Sequence, residues 1–289
     1  MTSEAPSGDQ EPKTQSGSSG KLLQRVISAA VLAAVALGAL FVSPWSFLVL
    51  VIVCAGLLLW EWGSAPRGNG FDGTTLLQTI SVLALVVFVG FDRFDLGFVV
   101  LGAAAAVIAA SGRGQGEGWN LFALGGLAYI ALPAAALIWL RSDPKFGLAA
   151  VLFLLIVAWT TDTASFVGGR VIGGPKLAPN VSPKKTWSGF FVGTLTPVFV
   201  GYAFALHVGD TSPWALALIA LILALACQMG DLLESAVKRN LGIKDMSQLI
   251  PGHGGLFDRI DSLLLAAVVA ALIALLRDPT APGAGLLIW

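Results

Sequence analysis

S-P-W-A-L-A-L-I-A-L-I-L-A-L-A-C-Q-M-G-D-L-L-E-S-A-V-K, Ser212 to Lys238, is an apolar run that ends in charge. Ser212 and Pro213 suit the N-cap and first-turn positions of a helix. Every residue from Trp214 to Cys227 is apolar. A helix that is apolar on all sides lies in lipid or in a large core, and the run 213–229 approaches the length of a membrane span. Then the character changes. Asp231, Glu234, Ser235 and Lys238 stand at i, i+3, i+4 and i+7. On a helix they share one face, carrying two carboxylates, a hydroxyl and an ammonium. A solvated helix end laced with ion pairs has the same spacing.

The rest of the chain repeats the apolar theme. Of 289 residues, 56% are apolar and 12% are charged, against roughly 25% charged in an ordinary soluble domain. That excludes a soluble globule, a coiled coil and a disordered chain. The apolar residues form continuous runs, whereas a spanning β-barrel would alternate. Runs at 26–42, 46–60, 75–91, 95–111, 120–140, 147–168, 187–207, 213–229 and 256–276 predict an all-α polytopic bundle of about nine transmembrane helices. Residues 1–20 contain no Leu, Ile, Val or aromatic residue and are expected to form a disordered polar tail. N-terminal helices follow over 21–145, a C-terminal helical region over 146–277, and a short irregular tail over 278–289. The run after Lys21 and Arg25 lacks a clean cleavage site and reads as a first span rather than a signal peptide. With the N-terminus in the cytoplasm, 13 Lys and Arg fall on the inner side and 4 on the outer, which supports that orientation. Zero net charge gives no field for nucleic acid. Cys54 and Cys227 sit far apart in apolar runs and read as packing residues. The Gly189-x-x-x-Gly193 spacing reads as close helix packing.

Two stretches concentrate the polar residues, both on the side assigned to the cytoplasm. In Asp162 to Lys185, an acid ends a strongly apolar helix, where a carboxylate is expensive unless paired, metal-bound or wetted. Gly168, Gly169, Gly173 and Gly174 follow, with Arg170 and Lys176; glycine-rich backbone beside basic side chains suits phosphate oxygens. Ser182-Pro183-Lys184-Lys185-Thr186 then precedes a span, as a phosphate-binding, topogenic or lipid-contacting cluster. In Asp231 to Asp261, Asp258 and Asp261 are again i, i+3, beside Arg259 at the start of the last long span. Asp231 and Asp258, on successive spans, would make a hard-oxygen site when they converge, which suits Mg²⁺ and phosphoryl or nucleotidyl transfer. His253 lies in a Pro-Gly-His-Gly-Gly turn with no second His or paired Cys near it, so zinc is not expected.

S-A-V-K-R-N-L-G-I-K-D-M-S-Q-L-I-P-G-H-G-G-L-F-D-R-I-D, Ser235 to Asp261, resembles the signature of the phosphatidate cytidylyltransferase (CDP-diacylglycerol synthase) family, with no departure at its fixed positions. K-L-A-P-N-V-S-P-K-K-T, Lys176 to Thr186, is similar to that family's second shared segment. The resemblance is strong over about 150–275. It implies that CTP and phosphatidate give CDP-diacylglycerol and pyrophosphate in phospholipid biosynthesis, with Mg²⁺ required, K⁺ at a second site, and a homodimer in a bacterial inner membrane, its site facing the cytoplasm. Asp231, Asp258, Asp261 and Asp162 are the expected metal ligands. Lys184, Lys185, Lys238, Arg239, Lys244 and Arg259 would hold phosphates, with Asp231, Asp258, Lys238 and Arg259 carrying the catalysis. Ser182, Thr186, Ser235, His253, Gly254 and Gly255 complete the substrate-binding set. A transporter also places charge within a bundle, but here the polar groups gather at one face and no inverted repeat is apparent. The DDxxD and DGxxAR motifs of other lipid transferases are absent.

Overall fold

The structure is a computed structural model that describes residues 16–66, 72–111, 117–250 and 254–289, with side chains from Ile27 onward apart from that of Glu117. Each apolar run is a helix: α1 Ser16–Val42, α2 Pro44–Ser64, α3 Gly73–Gly90, α4 Phe94–Ser111, α5 Glu117–Ser142, α6 Gly147–Val171, α7 Trp187–Val208, α8 Pro213–Asn240 and α9 Phe257–Arg277. Eight of them, α2 to α9, are long and apolar enough to cross a membrane; in α1 the apolar part among residues with described side chains is Ile27–Val42. The chain is a polytopic all-α membrane protein.

Three departures concern ends and connections. α1 begins at Ser16, inside the segment expected to be a disordered tail, while residues 1–15 lie outside the described ones. The tail after Arg277 is not wholly irregular: Pro282–Leu287 forms a short helix, α10, started by its proline. Asp143, buried in the turn between α5 and α6, accepts the Ala284 amide at 3.0 Å and holds α10 in place. Between α6 and α7 the chain makes an antiparallel pair of short strands, β1 Lys176–Ala178 and β2 Ser182–Thr186, with Lys176 opposite Thr186 and Ala178 opposite Ser182.

Local chemistry sets the helix starts. Ser43 and Ser46 form a reciprocal capping box for α2, Asp72 accepts the Thr75 amide to cap α3, and Thr186 accepts the Gly189 amide to cap α7. Ser212 is the N-cap of α8 and Pro213 its first residue, but the serine side chain makes no capping hydrogen bond.

In lipid, apolar burial between helices gains little over lipid contact, so close approach of small residues carries more of the packing. α6 and α7 show this. A Cβ on Gly189 would lie 2.7 Å from the Ser165 carbonyl oxygen, and one on Gly193 would collide with the Ser165 hydroxyl. α8 packs on α7 and α9, and α5 joins α9 to α2 and α3. Cys227 is buried among these helices, and both cysteines are free. Because successive spans reverse direction, the C-terminal ends of α2, α6 and α8 and the N-terminal ends of α7 and α9 share one end of the bundle.

Candidate active site

At that shared end lies a cavity of about 690 Å³. One face of α6 supplies Asp162, Ser165, Phe166, Gly169 and Arg170, spaced i, i+3, i+4, i+7 and i+8. The β-hairpin and the start of α7 supply Lys184, Lys185, Thr186, Gly189 and Phe190. Gln228, Asp231, Glu234 and Lys238 come from the last turns of α8, and Asp258, Arg259 and Asp261 from the first turns of α9, with Asp245 between them.

The acids are grouped. One carboxylate oxygen from each of Asp231, Glu234 and Asp261 lies within 4.8 Å of the other two. Two lysines flank the group. Lys185 Nζ is 2.7 Å from Asp231 Oδ2. Lys238 Nζ sits between Glu234 Oε1 at 2.6 Å and Asp258 Oδ1 at 2.7 Å. Glu234 is buried, and its Oε1 is held by the Lys238 ammonium that it shares with Asp258. Three carboxylates this close, with a single lysine shared between two of the neighbouring acids, make a donor set suited to a hard divalent cation. Asp162, across the cavity on α6, accepts the Ser262 hydroxyl at 2.9 Å.

A second pair of carboxylates holds the turn between α8 and α9. Asp258 Oδ2 accepts the Gly255 amide at 2.8 Å and the Met246 amide at 3.1 Å. Glu61, at the end of α2, accepts the Ser247 hydroxyl at 2.6 Å and the Leu256 and Phe257 amides at 2.8 and 2.7 Å.

The sequence expectations therefore divide. Asp162, Lys184, Lys185, Thr186, Asp231, Lys238, Asp258, Arg259 and Asp261 all line the cavity. Asp231 and Asp261 join the acid cluster, while Asp258 is linked to it through Lys238. The others lie off the cavity lining. Ser182 begins β2, Ser235 is buried on α8, and Lys244 is exposed. Arg239 donates to the Val181 and Ile243 carbonyls and ties the hairpin to the end of α8. Gly254 has a φ of +85° and its carbonyl accepts the Ile250 amide. Gly255 faces Glu61, whose carboxylate a Cβ would approach to 2.7 Å. His253 lies outside the described residues. Of the glycine-rich stretch, only Gly169 reaches the cavity, with Arg170 beside it; Gly168 packs against Val192.

Three acids are absent from the site residues read from sequence: Asp245, which lines the cavity between α8 and α9, Glu234 and Glu61. Glu234 was visible as part of the Asp231–Lys238 face, but nothing in the spacing separated a ligand from an ion-pair partner. Glu61 stands just past an apolar run, between Trp60 and Trp62, where it reads as a boundary residue; its burial at 0% exposure was the signal that sequence could not supply.

Fold and cavity together define an integral membrane protein with an ionisable site at one end of its helix bundle. The chain belongs to the cytidylyltransferase family, whose model matches residues 23–276. It is similar to the phosphatidate cytidylyltransferase of Brucella suis, 37% identical over 272 residues that cover 91% of this chain and 97% of the relative. The Haemophilus influenzae protein of the same name is 34% identical over 285 residues, 85% of this chain and 96% of the relative. A Mycobacterium leprae relative, also so named, is 42% identical over a shorter stretch of 127 residues.

Proposed function

We propose that the chain is a membrane-bound nucleotidyltransferase that makes CDP-diacylglycerol and pyrophosphate from CTP and phosphatidate in phospholipid biosynthesis. The observation that carries this reading is the similarity to proteins named for that reaction over 91% of the chain. The cavity supports it, because it sets an acid cluster among cations at the bundle end where lipid headgroups would lie.

In this reaction a phosphate oxygen of phosphatidate forms a bond to the α-phosphorus of CTP. The bond from that phosphorus to the bridging oxygen of the leaving pyrophosphate breaks, and the electron pair departs with the pyrophosphate. The nucleophile is already an anion, so no strong general base is required. The protein's task is to position two polyanions and neutralise their charge. Lys184, Lys185, Arg170 and Arg259 line the cavity wall and would hold phosphate oxygens. Lys238 keeps Glu234 and Asp258 in register across α8 and α9. Thr186 fixes the start of α7 and so the aim of the two preceding lysines.

Mg²⁺ would be held by Asp231, Glu234 and Asp261, with Asp258 and Asp162 beside them, and would supply charge neutralisation at the transferring phosphate. The donor chemistry fits: all are hard carboxylate oxygens, and one oxygen each of Asp231, Glu234 and Asp261 lie within 4.8 Å of one another. K⁺ at a second site and a homodimer belong to the same proposal on the family resemblance. So does an inner-membrane location with the site facing the cytoplasm, which the excess of basic residues at that end supports.

The test is an assay on detergent-purified protein with labelled CTP, phosphatidate and Mg²⁺, with EDTA as a control and ATP, GTP and UTP as competitors. CDP-diacylglycerol and pyrophosphate, lost on chelation, are expected. Folded protein that yields neither would refute the reading.

A further inference from the structure

A helix start leaves amides without intrahelical partners, and α9 draws no side-chain acceptor for them from its N-cap residue. Its N-cap position is Leu256, in helical conformation, with no side-chain cap. The acceptor comes instead from α2. Glu61 Oε1 takes the Leu256 amide and Oε2 the Phe257 amide, so a negative group sits at the positive end of the helix. The same Oε1 also takes the Ser247 hydroxyl, which ties in the preceding turn. The next residue, Trp62, packs its ring 5.7 Å from that of Phe257, and Tyr129 of α5 packs 5.6 Å from it. Gly255 leaves room for the carboxylate, as a side chain there would strike it. The first turn of α9 is thus gripped from the N-terminal half of the molecule. That turn carries Asp258 and Arg259, and the next presents Asp261 to the acid cluster.

We infer that Glu61 is a positioning residue for this site: by holding the start of α9 it sets where Asp261 stands relative to Asp231 and Glu234, and so sets the affinity for the activating divalent cation. This rests on the metal reading given above. The carboxylate has donors on both oxygens, and a Gln side chain has one acceptor. Glu61→Gln therefore places an N–H donor against a backbone or hydroxyl donor.

Mn²⁺ binding to the full-length protein in detergent, followed by electron paramagnetic resonance, tests this without turnover. Glu61→Gln is expected to weaken Mn²⁺ binding about tenfold, the usual consequence of losing a group that orients a metal ligand. Ser247→Ala should shift it the same way by less. In the CTP assay the Mg²⁺ concentration for half-maximal rate should rise with the loss of Mn²⁺ affinity, while KM for CTP at saturating Mg²⁺ holds. Asp143→Asn is the control. Asp143 accepts the Lys145, Phe146 and Ala284 amides at the other end of the bundle, so its loss should lower stability and leave Mn²⁺ affinity unchanged. Wild-type Mn²⁺ affinity in Glu61→Gln overturns the inference, as does equal weakening in Asp143→Asn. If Glu61→Gln fails to assemble, unchanged affinity in Ser247→Ala overturns it. Wild-type protein that binds Mn²⁺ but makes no CDP-diacylglycerol refutes the reaction and leaves the Mn²⁺ comparison to decide Glu61. Wild-type protein without Mn²⁺ affinity overturns the inference about Glu61 and leaves the reaction to be decided by the CTP assay.

Discussion

Asp258→Asn keeps the size of the side chain and removes its charge. Asp258 has two obligations: Oδ1 meets the Lys238 ammonium at 2.7 Å, and Oδ2 accepts the Met246 and Gly255 amides. Asparagine has one acceptor oxygen. Turned toward the amides, it points its own NH₂ at the ammonium; turned toward Lys238, it sets that NH₂ against two N–H groups. Neither arrangement satisfies both. The side chains of Asp258 and Lys238 are 5% and 12% exposed, so water screens little of the loss. Breaking a buried ion pair costs about 3–5 kcal/mol when a charge is left alone. Lys238 still has Glu234 at 2.6 Å, so the loss is closer to one charge-assisted hydrogen bond, about 1.5–3 kcal/mol. Lys238→Met should cost more, since it leaves Glu234 and Asp258 without their shared cation. The double variant should cost less than the two losses summed, with a coupling of about 1–3 kcal/mol. Denaturant unfolding of the four proteins in one detergent measures this, and both single variants should also lose most CTP turnover. Additive single losses would refute the Lys238–Asp258 contact and the reading of Asp258 as the tie between α8 and the start of α9.

Mg²⁺ at about a hundred times its Kd should stabilise the wild type by about 2.7 kcal/mol, and Asp261→Asn should abolish that increment. A Mg²⁺-induced rise in melting temperature retained in Asp261→Asn would remove Asp261 from the ligand set. Lys185 and Asp231 are 21% and 33% exposed, so their ion pair should contribute no more than about 1 kcal/mol to stability. Lys185→Ala should therefore leave unfolding almost unchanged and raise KM for CTP about tenfold, the worth of one charge-assisted hydrogen bond; an unchanged KM would return Lys185 to a topogenic role. Gly193→Ala drives a methyl group into the Ser165 side chain and should lower stability by about 1–3 kcal/mol, which Ser165→Ala in the same chain should partly restore.

The spans were legible because lipid makes a simple demand: about 20 apolar residues that satisfy their own backbone. α1 to α9 fall on the nine runs for that reason. The β1–β2 hairpin was not legible. Its strands are three and five residues long, rich in Lys, and carry no alternation, so pairing is decided by the turn and by the anchoring of Arg239 and Thr186. α10 escaped for a similar reason, since six residues held by a buried Asp143 have no periodicity to display. Within the site, the i, i+3 spacings placed Asp231 beside Glu234 and Asp258 beside Asp261 on their own helices. Which members of the two pairs meet depends on the rotation of α8 against α9. Gly230 helps set it: a Cβ there would come within 2.8 Å of the Asp261 carbonyl. That approach brings Asp261 to Asp231 and Glu234 and leaves Asp258 facing Lys238. Glu61 shows the limit most clearly, because its partners are 186 to 196 residues away and are mostly backbone amides, which sequence does not distinguish.

The charges lining the cavity give the physical ground for expecting a cation to arrive with substrate. Asp162, Asp231, Glu234, Asp245, Asp258 and Asp261 face Arg170, Lys184, Lys185, Lys238 and Arg259. The protein's own charges nearly cancel, and Lys185 and Lys238 already sit on carboxylates. A nucleoside triphosphate and a phosphate monoester bring several further negative charges into the same space. At an effective dielectric near 20, two unit charges about 5 Å apart repel by about 3 kcal/mol, so the resident cations alone leave the assembly strongly disfavoured. A divalent ion held by Asp231, Glu234 and Asp261 would change this in two ways. It would neutralise the acid cluster, and it would compete with Lys185 for Asp231, which would leave the ammonium for phosphate. On the proposed reading the cavity would then act as an exchange site, whose carboxylates hold the lysines when no metal is bound.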